Sequence, residues 1–245
     1  MRRAAAVFTL AAALCTLPAS AREQRPGTGS ANPSAVIAAE LAFARAAQEK
    51  GQWTAFDEAA APDAVMFVPG MVYAHGWLKG RANPPAAVKW QPHEVWSSCD
   101  GSLVLSHGGW QGSGQGARAT GYFTTLWRRQ KDGSYKWIVD AGDALAQPLA
   151  APEMVSAHVA DCPARRSDDE RASAHPKQAS QRALPPLDPA HRDGRSDDGT
   201  LSWTITMAPD GARNLRVQWT NDGAPRVALN ETAAAPPAAP AKAAP

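Results

Sequence analysis

Only three cysteines, at positions 15, 99 and 162, are spread through the 245 residues, and none sits in a recognisable nucleophile motif. Thiol catalysis is therefore set aside. The chain has no His-x-His, no HExxH and no acidic cluster at ligand spacing, so the usual metal-site patterns are missing too. Lys and Arg (25) nearly balance Asp and Glu (23), giving a formal charge of +2 without a basic cluster. Nucleic-acid binding thus has no electrostatic support. "PARRSDDER" mixes both signs and reads as solvated linker. "GGWQGSGQG" is glycine-rich but lacks a P-loop lysine and precedes a strand, so it reads as a bulged strand end or loop rather than a phosphate cradle. No motif asks for a cofactor. The apolar run from Ala4 to Leu17 falls short of the roughly 20 residues that span a bilayer, and no other stretch suits stable membrane insertion.

What is present begins with an address. Arg2 and Arg3, the apolar run and the small residues Ala19-Ser20-Ala21 form a signal-peptide pattern, predicting export to the periplasm or medium after cleavage at Ala21. Cys15 lacks the small preceding residue of a lipoprotein signal, because Leu14 stands there. Cys99 and Cys162 survive cleavage. In an oxidising compartment an even count favours a bridge between them, the alternative being two buried free thiols.

Ser34 can cap a helix in which Ile37, Leu41 and Ala44 recur at helical spacing until Gly51. Thr54 and Asp57 resemble a capping box for a second helix ended by Pro62, and a strand follows from Ala64 to Val68. A loop with a short helical segment leads to the strands "HEVWSS", "SLVLSHGGW", "GYFTTLWRRQ" and "YKWIVDAGD". The last two flank "KDGS", a hairpin signal, since Asp-Gly accepts positive φ cheaply. Helices followed by an antiparallel run of strands indicate an α+β fold. Further on, Leu201, Trp203, Ile205 and Met207 alternate with polar residues, and Leu215, Val217 and Trp219 repeat the pattern. Such a one-faced meander must cover something. The expected organisation is a leader (1–21), a flexible start (22–33), a cone domain (34–145), a connecting strand (146–162), a disordered linker (163–198), a β-meander (199–230) and an Ala/Pro tail (231–245).

The stretches "LAFARAAQEKGQWTAFDEAAAPDAVMFVPG", "DGSLVLSHGGW" and "GYFTTLWRRQKDGSYKWIVDAGD", in that order, resemble the nuclear transport factor 2-like superfamily, and within it the SnoaL-like exported bacterial branch of unassigned function. The resemblance covers about 34–145. It implies a cone-shaped curved antiparallel sheet behind N-terminal helices. It leaves function open, because isomerases, cyclases, dehydratases, epoxide hydrolases and non-enzymatic binding modules share that cone. In ketosteroid isomerases the strand matching "DAVMFVPG" carries the general-base aspartate just before its turn; here Val68 stands in that place. Asp63 looks like a loop or capping residue, and that isomerase route is closed.

Candidate chemistry lies elsewhere. With a two-residue Asp132-Gly133 turn, Tyr122 lies opposite Asp143, and Thr125 opposite Asp140 on the other face. With a three-residue turn Thr124 would face Asp140. Asp143 or Asp140, with His107 and Tyr122, could serve an acid–base site, a buried carboxylate having a raised pKa. The plainer alternative is an aspartate satisfied at a strand end. His75 and His93 share the region without a declared partner. Trp90, Trp110, Trp127 and Trp137 are candidate walls for an apolar or ring-shaped ligand, with core packing as the alternative. Both faces of the last hairpin are apolar. Helices would cover one, and the meander or a second subunit, making a homodimer through the sheet, the other. Three functions follow: an exported binder of a small apolar molecule, a cofactor-independent isomerase or lyase, or a structural protein with a filled cone.

Overall fold

A computed structural model describes residues 31–112, 119–162 and 184–235. The expected leader and parts of the expected linker and tail lie outside these residues. Helix α1 (Pro33–Lys50) starts at Asn32, whose side chain accepts from Ala35 N, rather than at Ser34. Its buried positions are Val36, Glu40, Phe43 and Ala47. This corrects the expected face: Leu41 is 46% exposed, and the stripe is rotated by one position. Helix α2 (Gln52–Ala59) has no local side-chain cap. Asn83 Oδ1, remote in sequence, accepts from Trp53 N and Thr54 N instead, while Asp57 pairs with His75.

Strands β1 (Ala60–Phe67) and β2 (Met71–Tyr73), helix α3 (Ala74–Leu78), and strands β3 (Lys89–Ser97), β4 (Leu103–Gln111), β5 (Thr120–Arg129), β6 (Tyr135–Leu145) and β7 (Ser156–Val159) follow. The strands form one sheet in the order β2-β1-β6-β5-β4-β3-β7. It is mixed rather than purely antiparallel, because β1 pairs parallel with β6, and β7 parallel with β3. Pro62 lies inside β1 instead of ending α2; it falls where the register with β6 shifts, so its missing N–H breaks no ladder bond there.

The β5–β6 hairpin combines both registers considered from the sequence. Its turn spans three residues: Gln130 faces Ser134 and Gly133 has φ +84°. A bulge at Ile138 then adds one residue to β6. Beyond it the pairs are Leu126 with Val139, Thr125 with Asp140 and Tyr122 with Asp143, those of a two-residue turn.

A second sheet follows, ordered β11-β10-β9-β8, from β8 (His191–Arg195), β9 (Leu201–Met207), β10 (Arg213–Asn221) and β11 (Ala224–Ala233). Strand β8 lies within the stretch expected to be linker, so the meander has four strands and not three. Leu201, Trp203, Ile205, Leu215 and Val217 join the same core as the cone residues. Thr124 Oγ1 donates to Glu231 (2.7 Å), which places the meander on the sheet face opposite the helices. Leu126, two residues along, shares that face.

Two turns dock the layers. "SCDGSL" (98–103) and "SDDGTL" (196–201) make the same internal bonds: Asp100 and Asp198 Oδ1 accept from Ser98 and Ser196 Oγ, and from Ser102 and Thr200 N. Each turn then bonds the other reciprocally. Asp100 N donates to Asp198 Oδ2 (2.8 Å) and Asp198 N to Asp100 Oδ2 (3.0 Å), while Cys99 N donates to Thr200 Oγ1 and Asp197 N to Ser102 Oγ. Beside this pair Cys99 and Cys162 are joined as a disulfide, with Cα atoms 5.1 Å apart.

Two stability predictions follow from this packing. Removing everything after Cys162 uncovers Leu126 and Val139, both fully buried, and loses five large apolar side chains. At about 1.5–3 kcal/mol for each large side chain, the loss matches the roughly 5–15 kcal/mol that holds a domain folded. The shortened chain should melt far lower or without cooperativity, measured by near-ultraviolet circular dichroism. Replacing Cys99 and Cys162 together by Ser should cost roughly 4 kcal/mol in the chain-entropy account, read from denaturant titration.

Candidate functional site

Between the helices and the sheet lies an open cavity of about 280 Å³. Trp53 and Phe56 of α2, Met66 and Phe67 of β1, Trp90 of β3, Trp110 of β4 and Phe123 of β5 form its walls, with Asp140 in its lining and Asp143 at its rim. Val68 also lines it. The rings are fixed by edge contacts: Trp53 on Phe56 at 5.6 Å and Phe56 on Trp90 at 6.1 Å. Trp110 lies across β5 because Gly121 has no Cβ, which would sit 2.4 Å from the indole.

Asp140 keeps partial access to solvent through the cavity. Enough protein surrounds it that desolvation, and then the charge of Glu40, raise its carboxyl to about 7, against the opposing bond from Thr125 Oγ1 at 3.0 Å. Glu40 is wholly buried on α1. Its carboxylate accepts from Trp90 Nε1 (2.7 Å), Trp127 Nε1 (2.9 Å) and Ser106 Oγ (2.5 Å). Burial pushes its pKa up and outweighs these three donors, which favour the charged form.

The sheet separates the four acid–base candidates named from sequence. Asp140 faces the cavity, and Asp143 stands half-buried at the rim, accepting from Ala144 N. His107 and Tyr122 lie on the meander face instead. His107 Nδ1 is 3.1 Å from Thr124 Oγ1 and 3.1 Å from Glu231 Oε1. Burial and the Glu231 charge push the Tyr122 hydroxyl to about 12. His93 is buried in β3, and burial holds it below its ordinary pKa. The tryptophans divide as well. Trp90 and Trp110 line the cavity, while Trp127 and Trp137 are core residues whose indole N–H groups donate to Glu40 and to Phe56 O. Asp63, expected as a loop residue, is a clamp. Burial alone would raise its carboxyl, but Arg128, at 3.0 and 2.5 Å, and then Arg192 hold it below its ordinary value.

Glu40, Trp53, Phe56 and Phe123 are site residues that the sequence reading did not select. For Glu40 one signal existed: it completes the stripe Val36-Glu40-Phe43-Ala47, whose other members are all apolar. Among the described residues no group of three His, Cys, Asp or Glu is placed to hold a metal ion.

No family model and no curated protein sequence matches the chain. Solved structures of similar shape include a ketosteroid isomerase candidate from Parabacteroides distasonis (14% identity, 49% of this chain and 97% of that one, TM-score 0.39). A nuclear transport factor 2-like protein of unknown function from Shewanella oneidensis aligns at 15% identity, over 45% of this chain and 98% of that one, with TM-score 0.36. An epoxide hydrolase of M. tuberculosis aligns at 18% identity, over 46% and 82%, with TM-score 0.33. These neighbours share nuclear transport factor 2-like or related folds, a group that includes binding proteins, isomerases and hydrolases. The likeness is one of fold and brings no activity to this chain.

Two site predictions follow. Glu40→Gln sets an amide N–H against an indole N–H, so it should destabilise by about 1–3 kcal/mol in urea unfolding. It should also lower the Asp140 pKa, which can be followed by carboxyl NMR. Asp140 has a raised folded-state pKa, so between about 4 and 7 the folded chain holds a proton that the unfolded chain has released. Its contribution is fully present below pH 4 and lost as pH rises through 7, at up to about 1.4 kcal/mol per pH unit. Asp140→Asn should therefore gain stability on the parent at pH 7.5 relative to pH 5.

Proposed function

We propose that this is an exported small-molecule-binding protein whose cavity takes a compact, largely apolar ligand oriented by Asp140. One observation carries the reading: an aromatic cavity open to solvent contains a single deeply set carboxyl that changes charge near neutral pH. Export is supported by the signal-peptide pattern and fits the Cys99–Cys162 bridge. The meander occupies the sheet face that a second subunit could have used.

A second reading, cofactor-independent acid–base catalysis of the isomerase or lyase type, rests on the same carboxyl. A group titrating near 7 can take and return a proton efficiently. Its partner would be Thr125, since His107 and Tyr122 face away and Asp143, the cross-strand partner of Tyr122, reaches only the rim. Classical ketosteroid isomerisation is not expected, because Val68 offers no base at the cavity wall.

Asp140→Asn separates the readings. Mature protein should quench its tryptophan fluorescence on titration with small aromatic compounds, and the variant should change affinity while the fold persists. If turnover of any bound compound is found, the variant should lower it about a hundredfold or more. A parent protein that isomerises a Δ5-3-ketosteroid well above buffer would overturn the assignment of Val68. A parent that binds no small aromatic compound at millimolar concentration would overturn the binding reading.

A further inference from the structure

The nature of the cavity wall narrows the ligand. Among the described residues its titratable side chains are both carboxylic, Asp140 and Asp143, with no Lys, Arg or His in the lining. Glu40, hydrogen-bonded to the wall residue Trp90, adds a third acid immediately behind. Six aromatic side chains, Trp53, Phe56, Phe67, Trp90, Trp110 and Phe123, line it as well. Two of these cannot offer their N–H groups, since Trp90 Nε1 is spent on Glu40 and Trp110 Nε1 on the Tyr122 carbonyl (3.0 Å). The side-chain oxygen of Gln52 is occupied by Val88 N at 3.1 Å. What these indoles present is therefore π-surface, which attracts positive charge. The Arg213 guanidinium is not part of the lining, although it donates to Gly142 O and lies 5.0 Å from the centre of the Phe67 ring.

We infer that the cavity is selective for an organic cation, a protonated amine on a small apolar or aromatic body, with the ammonium set against Asp140 between the aromatic walls. This rests on the binding reading above and goes beyond it by fixing the charge of the ligand. An anion would meet the acids with no basic residue among the described lining residues to offset them. A neutral ligand could fill the space but would not exploit the carboxyl. The groups facing Asp140 are Glu40 from α1, Thr125 from β5 and the uncharged wall residues of α2, β1 and β3. Glu40 is the charge coupled to it. Binding a cation therefore draws the proton off Asp140, and below neutral pH a proton leaves as the ligand enters.

Benzylamine and benzyl alcohol test this, being close in shape and different in charge. Isothermal titration of mature full-length protein at pH 8 should give at least tenfold tighter binding of benzylamine. The advantage should shrink toward parity at pH 5.5, where Asp140 is protonated, and calorimetry in buffers of different ionisation heat at pH 6.5 should show proton release. Asp140→Asn should bring the two affinities within about twofold, chiefly by weakening benzylamine. Equal binding of both compounds by the parent at pH 8 overturns the cation inference and leaves the small-molecule reading intact. Preference that persists unchanged at pH 5.5, or in a folded Asp140→Asn variant, overturns it equally. Failure of both compounds to bind at millimolar concentration overturns both readings.

Discussion

Glu40 is a carboxyl in a place where water cannot reach it, and the three strands that face α1 supply its partners. A buried carboxyl is costly unless donors surround it. Here they come from three strands: Trp90 on β3, Ser106 on β4 and Trp127 on β5. One acid thus pins α1 across the sheet and fixes the rotamers of two indoles. It also sets the electrostatic condition of its neighbour, because its charge helps keep a proton on Asp140. Wall geometry and floor chemistry have one source.

The opposite face obeys a different rule. Leu126 and Val139 are both fully buried and pair on the sheet face opposite the one that carries Thr125 and Asp140. The meander meets that demand, and its seam is stitched with polar contacts: His107 and Thr124 with Glu231, Arg192 with Asp63, and the two reciprocal Asp-Gly turns. Apolar contact alone would tolerate sliding. Directional bonds at both ends of the seam select one placement.

Much of this was legible in sequence. Strict alternation over Leu201–Met207, and the Asp-Gly signal between β5 and β6, need only local rules. The pairing of Thr125 with Asp140 was among the registers considered, although it arises from a three-residue turn corrected by a bulge at Ile138, which no local signal announces. Helix α1 was harder. Its alanine-rich composition gives little contrast between faces, and a buried Glu contradicts the rule by which faces are assigned. Only the tryptophan donors, far away in sequence, turn it inward. The cap of α2 by Asn83 and the strand β8 likewise depend on partners that a local window cannot contain. Tyr122 and His107 looked like pocket residues because strand alternation shows which residues share a face, and not which face encloses the cavity.

The Cys99–Cys162 bridge stands at the base of the paired turns, and Asp161 N nearby donates to Thr220 O of the meander. The chain thus leaves the cone at the spot to which β8 brings it back. A meander tethered there has a high effective concentration over its docking face, so re-docking after a transient opening is a short-range intramolecular search. A neighbouring molecule's meander would have to compete with that local copy. The bridge thereby favours the chain's own extension over a neighbour's.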